Sequence, residues 1–236
     1  KYSFYTPLTY AATIGNLNVV MALVNTGKID VNYVCYGLLA IEYAVQKGNL
    51  DIVKYLLKSS KAHVGNSIYY AIKHIEILKY LVKKRLLSVN NICCGNTPLM
   101  KACKTCNIEA FDYLVEYSNL NIKGEYDDTA LHHCISSDFE YGAIQLINKG
   151  ADINIMNDLK STPLMYACYN KMFNVVSLLI AKGADVNLLN CKGRTALMVT
   201  EPHTDEAFKK RMKIVRLLID NLTDVNVQDA DGNTHL

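Results

Sequence analysis

The sequence predicts an all-α solenoid of helix–turn–helix units joined by β-hairpin-like loops, and three observations carry that prediction. A four-residue motif built on Thr and Leu returns along the whole chain, an Asn-containing motif keeps step with it, and an apolar run of helical periodicity lies between the two. The first motif reads Thr129-Ala130-Leu131-His132, then Thr162-Pro163-Leu164-Met165 and Thr195-Ala196-Leu197-Met198, each 33 residues after the last. Earlier copies are Thr6-Pro7-Leu8-Thr9, Leu39-Ala40-Ile41-Glu42, a decayed Asn66-Ser67-Ile68-Tyr69, and Thr97-Pro98-Leu99-Met100. The second motif appears as Val31-Asn32, Val89-Asn90, Asp152-Ile153-Asn154, Asp185-Val186-Asn187 and Asp224-Val225-Asn226. Units of this size are too small to fold alone, so each must bury its faces on its neighbours.

The elements follow in order within each unit. The Thr hydroxyl suits the N-cap of a first helix, and proline beside it is pre-set for the first helical position. The Leu and a following small pair (Ala11-Ala12, Ala102-Cys103, Ala167-Cys168) let two helices approach closely. Gly15-Asn16 and Gly48-Asn49 break the chain between helices. The second helix repeats apolar residues at helical spacing, as in Ile52, Val53, Leu56 and Leu57. Lys149-Gly150-Ala151-Asp152 and Lys182-Gly183-Ala184-Asp185 then end it, with glycine fitted to the left-handed position after a helix.

These motifs resemble the ankyrin repeat, whose Thr-Pro-Leu-His and Gly-Ala-Asp-Val-Asn signatures are nearly intact over residues 128–226. The resemblance covers essentially the whole chain. It implies one ankyrin-repeat domain over 1–236, with repeats near 2–32, 33–64, 65–91, 92–122, 123–154, 155–187 and 188–226 and the opening of an eighth at 227–236. Repeat three lacks the Gly-Asn turn, so its helices are expected to be short and its stacking altered. Repeat seven is longer than the others. Pro202 is expected to stop its first helix, and Thr204-Asp205-Glu206 to cap an extended second helix running through Lys209, Lys210, Arg211 and Lys213.

The resemblance also implies a function: holding another protein against the concave side, formed by hairpin tips and exposed first-helix positions. Carried over position by position, the expected partner-binding residues are Tyr33, Tyr36, Lys104, Glu125, Tyr126, Tyr169, Lys192 and Arg194. Tyr and Arg are the types that most often anchor interfaces. Tip positions Cys35, Asp128, Asp158, Leu159, Ser161 and Cys191 fall in the same segments, where most residues of any repeat protein are simply solvated turns.

Other chemistries fit less well. Cys103, Cys106, His132, His133 and Cys134 come from adjacent repeats and are metal-ligand types. However, Cys103 and Cys168 occupy the slot filled by Ala12, Cys134 occupies that of Ala11, and His132 stands where the family has histidine, so packing explains them and no metal or other cofactor is expected. No phosphate loop, nucleophile elbow or zinc-protease helix occurs, and an enzyme is not expected. Residues 1–118 carry 13 Lys and Arg against 7 Asp and Glu, and residues 119–236 carry 12 against 15. That falls short of a continuous basic stripe, and the Lys79, Lys83, Lys84, Arg85 cluster reads as a solvated helix face rather than a nucleic-acid site. Eight scattered cysteines and no apolar run of membrane-spanning length point to a cytoplasmic protein with free thiols, in the host cytoplasm if viral.

Abundant Lys, Ile, Asn and Tyr (16 Tyr and no Trp) and irregular repeat lengths are similar to the long ankyrin proteins of poxviruses. Many of those carry a C-terminal F-box-like segment that docks on a cullin-RING ubiquitin ligase while the repeats select a host antiviral protein. No such segment lies within residues 1–236, and the eighth repeat is unfinished at Leu236, so the resemblance implies a fragment of a longer host-range or immune-evasion factor. The alternative is a cellular or microbial scaffold without ligase function, with further repeats or another effector domain beyond Leu236.

Overall fold

The computed structural model describes residues 5–59, 62–84, 88–200, 208–221, 227–232 and 234, and their regular structure is helical. Extended pairing among them is confined to isolated bridges, an antiparallel one between Cys35 and Leu38 and bridge residues again at Cys93 and Asn96. The chain divides into two compact units, residues 1–93 and 94–236, the division falling within the repeat expected at 92–122.

Unit one holds three helix pairs: α1 (Pro7–Ile14) with α2 (Leu17–Asn25), α3 (Ala40–Gln46) with α4 (Leu50–Ser59), and α5 (Ser67–Tyr70) with α6 (Ile75–Lys83). First helices pack side by side, α1 on α3 and α3 on α5, and so do second helices, α2 on α4 and α4 on α6. The core is the expected Leu8, Ala11 and Ala12 with Ile41, Ala44, Ile52, Val53 and Leu56. Unit two holds α7 (Pro98–Lys104) with α8 (Ile108–Leu114), α9 (Ala130–Ser136) with α10 (Glu140–Asn148), α11 (Pro163–Tyr169) with α12 (Phe173–Ala181), and α13 (Phe208–Ile219). Its core gathers Leu99, Phe111, Leu114, Leu131, Leu146, Leu164, Val175 and Leu179, with the thiols of Cys103, Cys134 and Cys168 in the small-residue slots.

The caps form as the motif predicts. The hydroxyl oxygens of Thr6, Thr97 and Thr162 accept from the amides of Thr9 (3.2 Å), Met100 (3.3 Å) and Met165 (3.3 Å). Gly150 and Gly183, each one residue past the lysine that caps α10 or α12, take φ of 84° and 87°, a conformation that a side chain disfavours.

The fourth motif position has a further role. His132 lies buried, accepting at Nδ1 from the Thr129 amide (3.2 Å) and donating from Nε2 to the Ser161 carbonyl (3.2 Å) of the next repeat. Glu42 does the equivalent job with a carboxylate: it accepts from the amides of Leu39 (2.8 Å) and Asn66 (2.7 Å).

Repeats three and seven depart from the expectations. In repeat three the first helix is short, a four-residue α5 running into a 3-10 turn at Ala71–Lys73, but α6 has nine residues and ordinary length. His74 explains why the missing Gly-Asn turn does not shorten α6. Its ring lies 3.1 Å from the Gln46 carbonyl, as Asn49 Nδ2 donates to the Ala12 carbonyl (2.8 Å) one repeat earlier. In repeat seven the first helix is reduced to a turn across Ala196–Val199, closed by the Val199 and Thr200 amides on the carbonyls of Thr195 and Leu197. Pro202, Thr204, Asp205 and Glu206 lie outside the described residues, as do Arg85 and the Asp224–Asn226 motif. The extended second helix is present: α13, with 12 residues, is the longest of the described helices.

Candidate functional site

The loops that carry the expected binding residues are built by side chains of the Asn motif. At its first position an Asp, Asn or Ser oxygen accepts from the amide two residues on. Asp30 does so at 2.9 Å, Ser88 at 3.2 Å, Asn119 at 3.0 Å, Asp152 at 3.0 Å and Asp185 at 2.9 Å. The Asn two residues later then reaches across to the next repeat. Asn32 accepts from the His63 amide (2.7 Å), Asn121 from Asp152 (2.8 Å) and Asn154 from Asp185 (2.9 Å). The recurring acids Asp152 and Asp185 are therefore turn residues. The tip turns are closed in the same way, with Asn157 Oδ1 accepting from Leu159 and Ser161, and Asn190 Oδ1 from Lys192 and Arg194.

Within unit two, successive tips are joined by their own backbones. The Glu125 amide donates to the Gly95 carbonyl (2.5 Å) and Asp158 to Tyr126 (3.0 Å), while Cys191 donates to Leu159 (2.9 Å) and Ala230 to Lys192 (3.0 Å). This rail fixes the tips while leaving most of their side chains outside. Tyr126 is 67% exposed, on a residue with φ 58°, and Lys192 is also exposed. Tyr169 closes α11 and is 63% exposed. Lys104, at the end of α7, meets Glu125 at 3.9 Å, with both side chains partly solvated and the pair correspondingly weak.

Three tip residues make structural contacts. Asp128 is buried, accepting from Asn157 Nδ2 (2.9 Å) and the Tyr166 hydroxyl (3.5 Å). Cys35 is buried inside the bridge to Leu38, its carbonyl accepting from the Tyr43 hydroxyl (3.0 Å). Arg194 keeps a 27% exposed side chain, with Nε donating to a buried Asp229 carboxylate (3.3 Å).

In unit one, Tyr33 and Tyr36 are exposed as expected, and Tyr36 with Gly37 makes the positive-φ turn of a tight hairpin. Tyr5, with Tyr10 beside it, joins Tyr36, a grouping the tip positions alone do not reveal. The Tyr5 ring lies 5.4 Å from Tyr43, 6.1 Å from Tyr36 and 6.4 Å from Tyr10. The available signal was positional: Tyr10 follows its tetrapeptide directly, the place Tyr43 takes after Leu39–Glu42.

The titratable groups of the core are arranged for packing. Burial pushes the thiols of Cys168 and Cys134 above the usual range, with Cys103 adding to the effect at Cys134, the reverse of an activated thiolate. Burial, then Lys104 and His132, lowers His133 to about 4. Burial also lowers His132. Among the described residues no three His, Cys, Asp or Glu side chains converge as a metal site, and no helix is long and apolar enough to cross a membrane.

Paired helices, backbone-fixed tips and variable tip side chains define a helical repeat scaffold that presents loops. The chain belongs to the ankyrin-repeat family: the family profile, described as ankyrin repeats in three copies, matches residues 3–68, 67–157 and 140–229. The fowlpox virus (strain NVSL) ankyrin repeat protein FPV230 is 28% identical over 171 residues, covering 68% of this chain and 90% of that protein. Human transient receptor potential cation channel subfamily A member 1 is 26% identical over 194 residues, covering 72% of this chain; the chain spans 17% of that channel's length. Among solved structures, the human ASB11 ankyrin repeat domain superposes with TM-score 0.72 at 20% identity, covering 93% of this chain and 99% of that one. The Bcl-3 ankyrin repeat domain gives 0.57 at 20% identity, with coverages of 99% and 93%. Ankyrin repeats form a protein–protein interaction module, and that class of function is the one the fold assigns.

Proposed function

We propose that this chain is the capture surface of a viral host-range or immune-evasion factor, binding host antiviral proteins through its hairpin tips. The observation that carries the binding mode is the backbone rail of unit two, which holds the tips in place and leaves Tyr126, Tyr169 and Lys192 exposed as anchors, with Lys104 and Glu125 beside them. Tyr33 and Tyr36 offer exposed tip side chains in unit one, and the partly exposed Arg194 is a further contact in unit two. The viral attribution is supported by the likeness to the fowlpox protein. In this reading a cullin-RING ubiquitin ligase is recruited through an F-box-like segment outside residues 1–236, and the complex acts in the host cytoplasm.

A second reading, a scaffold without ligase function, is supported by the comparable likeness to the human channel subunit. Affinity purification and mass spectrometry from interferon-treated cells separates the two, using residues 1–236 and the same residues within their natural reading frame as baits. Antiviral proteins with both baits, and ligase subunits with the second alone, support capture for ubiquitination. Cytoskeletal or membrane-associated proteins with both baits and no ligase replace it with the scaffold.

A further inference from the structure

Away from the tips, the second helices of unit two are laced to each other by polar contacts. Tyr141 donates to Asp112 (2.9 Å) and Lys149 pairs with Glu116 (2.6 Å), joining the α8 and α10 segments, and Asn174 of α12 donates to Glu140 of α10 (2.7 Å). Among the described residues the lacing does not reach α13. Its described contact of this kind with α12 is the Lys213 ammonium 5.9 Å over the Phe173 ring. The result is an open groove of about 350 Å³ lined by Phe173, Met212, Lys213, Arg216, Leu217 and Asp220.

Charge sets this groove apart. The α13 sequence, Phe-Lys-Lys-Arg-Met-Lys-Ile-Val-Arg-Leu-Leu-Ile, has five basic residues and no acidic one, while α12 has no charged residue at all. No described carboxylate pairs with Lys213 or Arg216. The helix also leaves apolar surface in solvent: Met212 and Ile219 are each 45% exposed, although Ile214 and Leu218 bury the opposite side. Every other described second helix of unit two carries either acids or no charge.

We infer that the α12–α13 groove is a second docking site, taking a short acidic segment of a partner protein. An apolar side chain enters between Phe173, Met212 and Leu217, and flanking carboxylates lie on Lys213 and Arg216. Asp220 closes one end and gives the groove a direction, because it disfavours a carboxylate there and favours an amide or a basic side chain. The mixture of apolar floor, two cations and one acid suits a peptide better than a phosphate backbone, which would meet Asp220 as a like charge. The site is separate from the tips and stands whether or not the proposed function does.

The test is fluorescence anisotropy on the whole chain at about 0.15 M ionic strength, where exposed charges are screened beyond roughly 8 Å. The probe is a fluorescein-labelled, end-blocked peptide pool with Phe, Leu or Ile spaced between Asp and Glu, and a matched pool carries Lys and Arg instead. Phosphatidylcholine–phosphatidylserine vesicles and a single-stranded oligonucleotide serve as anionic comparators. The acidic pool is expected to bind preferentially, and K213E/R216E to weaken it about tenfold or more with an unchanged melting midpoint. Met212→Gln should also weaken binding, Asp220→Lys should tighten it, and Tyr126→Ala should leave it unchanged.

The proposal is overturned if the two pools bind equally, or if K213E/R216E has no effect. It is equally overturned if Met212→Gln and Asp220→Lys leave binding unchanged, since only diffuse attraction would then be at work. Stronger binding of vesicles or oligonucleotide through Lys213 and Arg216 would replace the peptide with a membrane or nucleic acid.

Discussion

His133 shows how one side chain can set the acid tolerance of a repeat. It is buried in α9, and its Nε2 finds no hydrogen-bond partner among the described residues. Its pKa falls to about 4 when folded, against an ordinary value near 6.5 in the unfolded chain. Between those values the unfolded chain binds the extra proton, so stability rises with pH across that window. The stabilisation is present above about pH 6.5 and is lost as pH falls towards 4, by up to about 3 kcal/mol. Thermal melts of the wild type and of His133→Leu over this range check it: the variant should have the flatter profile. Gly142 makes a residue-scale case of opposite appearance. Ala for Gly inside a helix usually stabilises by about 0.5–1 kcal/mol. Here a Cβ would meet the Phe139 ring at 2.4 Å and the Cys134 sulfur at 2.8 Å. Gly142→Ala should therefore destabilise, by about 1–3 kcal/mol, in denaturant titrations.

At the scale of elements, the helix pair is the unit that the sequence spells out. The Thr cap, the buried Leu and the glycine after the second helix are local devices, so they are legible wherever the letters survive. Leu164→Ala in α11 should cost about 2–5 kcal/mol, because its side chain is buried among neighbours that cannot fully collapse. Asn154→Ala should cost about 1 kcal/mol, the worth of one exposed bridge to the Asp185 amide. Equilibrium unfolding of the two variants orders them, and a Leu164→Ala loss below about 0.5 kcal/mol would show that the repeat register is misread. Less legible were the elements whose partners come from a different repeat. The full length of α6 depends on His74 meeting the Gln46 carbonyl, 28 residues away. In repeat seven a sound Thr195-Ala196-Leu197-Met198 motif produces only a turn, so the motif marks where a helix begins and says little about how far it runs.

For the molecule as a whole, the family and the repeat spacing could be read from the letters, and the binding surface only in part. Tyr33, Tyr36, Tyr126, Tyr169 and Lys192 lie outside as their tip positions suggest. Asp128 and Arg194 occupy equivalent positions, but Asp128 is buried and Arg194 only partly exposed, because Asn157 and Asp229 on the following repeats bind them. Exposure at a tip is decided by residues about one repeat further on, which a single motif does not contain. The exposed set can be tested together. Replacing Tyr126, Tyr169 and Lys192 with Ala should leave stability within about 0.5 kcal/mol, since surface changes away from caps and cores rarely exceed that. Capture of the partner by the triple variant should nevertheless fall sharply in the same purification, and undiminished capture would remove these tips from the interface.

The rail between tips is made of amides and carbonyls, atoms that every residue except proline can supply in full. A lineage that must follow a changing target can therefore rewrite Asp158, Leu159 or Lys192 one letter at a time and keep each loop where it was. Architecture is stored in the main chain and specificity in the side chains, so the two can be inherited separately. Proline at Asp158 or Cys191 is the exception, since it removes a donor from the rail, and it is the substitution such a lineage should avoid.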